Sequence, residues 1–178
     1  MELIVTMAIS SIMFAIVGAI FLTQSRYHAA EDAINQAQYQ GFQALDTIGL
    51  YTDSARRVVS SRVVNGRAYE SGTSTVVLEL PSVDASGNIL SGAYDYVALG
   101  VDPSDKATFV LDIDAATGSD RIDGTYVKAS LVDKLIFRYN TVNVTTATSI
   151  DIFVRTAISV RNRTHTKSLG KIYYLHSS

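Results

Sequence analysis

The sequence predicts an α+β fold in which a long N-terminal α-helix, hydrophobic in its first half and amphipathic in its second, packs on a C-terminal antiparallel β-sheet. Three observations carry that expectation. Residues 3–22 form an uncharged, proline-free apolar run, and apolar residues at helical spacing continue beyond it. From Ser71 onward the hydrophobic period falls to two, with turn residues at regular intervals. A helix followed by strands lacks the α/β alternation that a nucleotide-binding sheet requires.

The first element is LIVTMAISSIMFAIVGAIFL, interrupted only by the polar Thr6, Ser10 and Ser11 and by Gly18 as a flexible point. Twenty residues rising ~1.5 Å each span roughly 30 Å, the thickness of a bilayer's hydrocarbon core. A secretory signal would begin with basic residues and hold a shorter apolar core of about 7–15 residues. Here the sole charge before Arg26 is Glu2. A carboxylate at that edge is costly in lipid unless it reaches the headgroups or meets a cation, such as another subunit's amino terminus.

Residues 24–62 are rich in Ala, Gln and charged groups, contain no Pro, and repeat apolar side chains at Phe42, Leu45, Ile48, Ala55 and Val59. This predicts one helix of about 60 residues, roughly 90 Å long and too long for a small domain to cover. Its first half must bury its surface in lipid or in other copies, while the second half packs on a globular domain. Gly41 and Gly49 are expected to weaken the helix, and Asn65-Gly66 to end it. The division is thus a hydrophobic segment at 1–23, its amphipathic continuation at 24–65 and a β-rich domain at 66–178.

Strands are expected at 75–80, within 89–99 after the Ser86-Gly87-Asn88 turn, at 107–113 and at 125–130. Leu135, Phe137 and Tyr139 share one face of the next. The clearest strand is 149–160, where Ile150, Ile152, Val154, Thr156, Ile158 and Val160 alternate against polar neighbours such as Asp151, Arg155 and Ser159. A polar loop at 162–170 is expected to lead to a last strand, KIYYLH.

With 178 residues, 47% of them apolar, the chain is one ordinary folding unit and not a disordered one. A net charge of −2 supplies no global attraction to nucleic acid, and the absence of Cys removes disulfides, Cys-ligated zinc and thiol catalysis together.

An apolar helix beginning ELIVTMAIS with a glutamate at its threshold resembles the N-terminal segment of bacterial type IV pilins and type II secretion pseudopilins. FLTQSRYHAAEDAINQAQYQGFQALDTI, LVDKLIFRYN and SIDIFVRTAISVRNR extend the similarity, closest to PilW-type pilins and J-type minor pseudopilins. The resemblance implies a pilin-like structural subunit, held in the cytoplasmic membrane before assembly and then polymerised into an extracellular pilus. Other copies of the chain, other pilins, a prepilin peptidase, an assembly ATPase and a platform protein are the implied partners. A minor pseudopilin in a periplasmic pseudopilus is the alternative, and a single-pass anchor displaying a β-rich binding domain is a third.

By the same resemblance Glu2 would compensate the N-terminal amine of a neighbouring subunit and set axial register. Leu3, Ile4, Val5, Ser10, Ser11, Phe14, Ala15, Gly18 and Phe21 would pack in the filament core. Ser10, Ser11, Ala15, Gly18 and Ala19 are small enough for close helix approach. In the family the mature glutamate usually stands fifth, after a short basic leader ending in Gly is removed, whereas Glu2 follows Met1 directly. The family's mid-helix proline is missing, leaving Gly18 as the expected place of melting, and no disulfide closes the C-terminal strand.

Charges are unevenly placed. From residue 84 to 123 there are eight Asp, among them Asp102, Asp105, Asp112 and Asp114, against Lys106 and Arg121, a balance of −6. From 151 to 171, Arg155, Arg161, Arg163, Lys167 and Lys171 stand against Asp151, a balance of +4. These are either complementary intersubunit patches or separately solvated faces. The same cations offer contacts to DNA phosphates, but no interleaved motif supports that use. No cofactor, metal or catalytic site is expected: His28, His165 and His176 lack ligand spacing, and Asp112, Asp114, Asp120 and Asp123 around Gly118 read better as an acidic turn than a calcium loop. Asn143-Val-Thr145 and Asn162-Arg-Thr164 fit the short N-glycosylation pattern.

Overall fold

The computed structural model describes residues 2–160 and 162–175. Helix α1 (Glu2–Asp53) is continuous, and at ~1.5 Å per residue it is roughly 78 Å long. The strands are β1 (Arg57–Val59), β2 (Ser61–Val64), β3 (Arg67–Glu70), β4 (Thr75–Val83), β5 (Ile89–Val101), β6 (Phe109–Asp114), β7 (Gly124–Ala129), β8 (Val132–Tyr139), β9 (Ser149–Val160) and β10 (Arg163–Tyr174). The architecture is α+β, a long helix packed on antiparallel sheets, and matches the pilin-like description expected from the sequence.

The helix ends at Asp53, about ten residues short of the expectation. Its last turn closes locally, with Ser54 Oγ donating to Leu50 O and the Ala55 N–H to Thr52 O. Val58-Val59 and Val63-Val64 then favour extended backbone, and β1 pairs with β4 through Val58↔Leu78. Asn65-Gly66 is therefore a hairpin turn between β2 and β3 and not a helix stop. Both residues have positive φ, 49° and 76°, as a two-residue turn matching strand twist demands.

Among the described residues three antiparallel sheets form. Five strands run β1-β4-β5-β6-β7, three run β10-β9-β8, and β2-β3 form a separate hairpin. β4 continues through Pro81, beyond the reach of its edge partner β1, and its register to β5 shifts between Pro81 and Val83. β9 has the predicted bounds, and its even-numbered residues from Ile150 to Thr156 are buried. The expected polar loop at 162–170 is instead the first part of β10, paired residue for residue with β9 from Arg163↔Val160 onward.

The main core joins the second half of α1 to the inner faces of the two larger sheets. It contains Ala44, Leu45 and Ile48 from the helix, Val76, Leu78, Leu80, Val97 and Leu99 from β4 and β5, and Ile150, Ile152 and Val154 from β9. The opposite face of β4-β5 is covered by the β2-β3 hairpin, where Val64 meets Val77 and Ala98. The helix presents small residues to the sheets: Ala33, Ala37, Gly41, Ala44, Gly49 and Thr52 are buried, whereas Phe42, expected on the packed face, is 46% exposed. Small side chains let the helix axis approach closely enough for polar ties. Thr156 Oγ1 donates to Ala37 O at 2.7 Å, the Tyr173 hydroxyl to Leu45 O at 2.9 Å, and the Ser130 N–H to Gln40 Oε1 at 2.6 Å.

Candidate functional site

The segment that the fold leaves unsatisfied is the first half of α1. Leu3, Ile4, Phe14 and Phe21 are each at least 69% exposed, and Val5, Ile9, Ile12, Val17 and Ile20 more than half exposed. The helix's first buried residue is Ala33. An 18-residue window of this helix has mean hydropathy 2.4 and none of it is buried, so the segment is long and apolar enough to cross a membrane.

Local chemistry suits an apolar surrounding. Thr6 Oγ1 donates to Glu2 O at 2.9 Å and Ser11 Oγ to Met7 O at 2.8 Å, so those hydroxyls are satisfied inside the helix. Beyond its own stretch of helix backbone, no described heavy atom lies within 4 Å of where a Gly18 Cβ would stand, and the helix runs unbroken through it. Ser10, Ala15 and Ala19 are likewise exposed, and Glu2 stands exposed at the helix's first position with no ion pair among the described residues.

The topology separates the acids read from the sequence as one patch, while Arg155, Arg163 and Lys167 stay on the β9-β10 hairpin. Asp112 is 1% exposed and belongs to the interior, a correction to its place among surface charges. Its carboxylate accepts from Asn65 Nδ2 at 2.6 Å, the Tyr69 hydroxyl at 2.9 Å and Thr125 Oγ1 at 3.0 Å, binding the hairpin to β6 and β7. Asp102 and Asp105 lie in the β5-β6 connection, Asp114 at the opposite end of β6, roughly 17–20 Å away along the strand. Asp102 accepts from the Ser104 hydroxyl and N–H, and Asp105 from Thr108 Oγ1 and the Ala107 N–H; these bonds hold both carboxyls below their ordinary value.

On the basic side Arg155 pairs within the chain with Asp133 at 2.5 Å, both side chains staying partly exposed. Arg163 is exposed at the start of β10, Lys167 is half-buried on the same strand face, and Arg161 lies outside the described residues, as does His176. Asn143 caps the short 3₁₀ turn Val144–Thr146 through its own side chain. Among the described residues no group of three or more His, Asp or Glu is placed to hold a metal ion.

Sequence reasoning missed the buried acids of the domain. Asp95 is fully buried and accepts from Ser82 Oγ at 2.7 Å, the Ala116 N–H and Ser119 Oγ at 2.8 Å, and Arg121 Nη1. Burial pushes its pKa up, but the bonds from Ser82, Ala116, Arg121 and Ser119 outweigh burial and hold it below the ordinary value. Glu79, 1% exposed, takes a two-pronged contact from Arg57 at 3.0 and 2.8 Å. Tyr94 and Tyr96 are half-buried under Arg56 and Arg62, at 5.1 and 3.9 Å to the ring centroids. No protein-family model matches the chain, and no curated protein matches it either.

Proposed function

We propose that the chain is a structural subunit that assembles with copies of itself through the first half of α1, as a type IV pilin does. One observation carries this reading: the same helix is covered by its own domain only from Ala33 onward, while residues 3–22 remain apolar and uncovered. Lipid satisfies that surface before assembly, and neighbouring helices satisfy it afterwards, so transfer from bilayer to filament exposes little apolar area to water. Glu2 at the threshold supplies a charge for a neighbour's amine, an interaction that favours one axial register in an apolar bundle. The subunit performs no chemistry of its own in this reading.

The test is gold-labelled antibody against residues 71–178 on whole native cells and sheared filaments. Label along fibres is the expected outcome. Label at fibre tips alone, or only inside the envelope, would reassign the chain to a minor initiator or a secretion pseudopilin. Glu2→Ala should abolish or greatly reduce incorporation; a normal filament yield from that variant would sink the register role, and surface label without any fibre would favour a single-pass anchor.

A further inference from the structure

Where the apolar half of α1 gives way to the packed half, a cleft of about 500 Å³ opens between the helix and the β9-β10 hairpin. Thr23, Arg26, Tyr27 and Ala30 form its helical wall, at the i, i+3, i+4, i+7 spacing of one helix face. Arg163 and His165 form the opposite wall, on the strand face that carries Leu169 and Tyr173 against the helix further up. The hairpin therefore reaches back along α1 to within one residue of the apolar run's end at Leu22.

Two cations from different elements converge there without acids. Arg26 and Arg163 make no ion pair among the described residues. The nearby carboxylates lie elsewhere: Glu31 faces His28 at 3.8 Å, and Asp32 lines a separate cleft with His28 and Phe21. Position along the helix fixes what this cleft would face in a bilayer. At ~1.5 Å per residue Arg26 stands roughly 6 Å above Leu22, inside a headgroup layer about 5–7 Å deep. Tyr27, 69% exposed beside it, is a residue type enriched at that depth.

We propose that this cleft binds the phosphate of an anionic phospholipid headgroup, seating the β9-β10 hairpin on the membrane surface. The inference rests on the reading that residues 3–22 occupy a bilayer before assembly. Two guanidinium groups on opposite walls grip a phosphate from both sides, and each fork matches its oxygens. Bound lipid would fix the domain's orientation about the helix axis while the subunit waits in the membrane.

The test uses the full-length chain in phosphatidylcholine bilayers containing trace spin-labelled phosphatidylglycerol or phosphatidylcholine, and reads the fraction of motionally restricted lipid. The expected preference for phosphatidylglycerol is roughly fivefold per engaged arginine. It should collapse in Arg26→Gln/Arg163→Gln, weaken in Arg26→Lys/Arg163→Lys, which keeps the charge but loses the fork, and persist in Arg138→Gln, a change on the outer face of β8. Restricted lipid without headgroup preference overturns the cleft alone. No restricted lipid of either kind overturns bilayer insertion and the cleft with it. Saturable binding of inorganic phosphate that Arg26→Gln/Arg163→Gln abolishes, with no headgroup preference beside it, reassigns the cleft to a soluble anion and overturns the lipid assignment; a preference that persists at matched ionic strength in sodium chloride supports it.

Discussion

Gly49 of α1 lies directly under the ring of Tyr173: a Cβ there would stand 2.6 Å from Tyr173 Cε1 and 2.8 Å from its hydroxyl oxygen. The ring cannot easily retreat, because its hydroxyl donates to Leu45 O at 2.9 Å and Tyr173 is 4% exposed. Gly49→Ala should therefore destabilise the fold by about 1–3 kcal/mol, even though alanine favours the helix by about 1 kcal/mol. Gly41→Ala would crowd Leu169 Cδ1 at 2.8 Å, the end of a flexible side chain, and meet Thr156 Cγ2 at an ordinary 3.6 Å, so it should cost much less. Thermal unfolding of both variants checks the order; equal midpoints would contradict it.

The β2-β3 turn is held to the sheet by a side chain and not by its backbone alone. Asn65 Nδ2 donates to both Asp112 Oδ1 and Ile113 O at 2.6 Å. A double-mutant cycle of Asn65→Ala and Asp112→Ala should give a coupling of about 1–2 kcal/mol in denaturant unfolding. Additive effects would mean that the two residues act separately.

Thr52 presents a different case, since its Oγ1 is buried and finds no hydrogen-bond partner among the described residues. Thr52→Val keeps the branched shape and removes the unpaired hydroxyl. The variant should be more stable by about 1 kcal/mol, read as a higher unfolding midpoint. A loss of stability would indicate that the hydroxyl is satisfied.

Asp95 should make the domain sensitive to acid. Its folded pKa is depressed, so its contribution is fully present above the ordinary carboxyl value of 3.8 and is lost as pH falls through the folded value. Arg121→Gln removes one of the donors that depress it and should move acid unfolding to higher pH. Circular dichroism across pH 2–5 checks this, and an unchanged midpoint would remove Asp95 from the account of acid stability.

Much of the sheet was legible because alternation is a local signal. In β9 the buried residues Ile150, Ile152, Val154 and Thr156 follow one another at period two within twelve residues. β10 was hidden because its helix-facing side carries Arg163, His165 and Lys167 before Leu169, so half of a paired strand reads as a polar loop. β1 and β2 were hidden by a helical spacing that ran through Ala55 and Val59, although the pairing Val58↔Leu78 lies twenty residues away in sequence.

Residue order alone shows that residues 3–22 need an apolar surrounding, since twenty uncharged residues in a row satisfy no water-facing role, and that a helix precedes strands. Which acids are surface charges depends on how the chain packs in three dimensions. Asp105 and Asp112 look alike in the chain, yet one lies exposed in a loop and the other is enclosed by Asn65, Tyr69 and Thr125. Burial of a charge depends on donors brought from distant segments, which a local pattern of residue types does not encode.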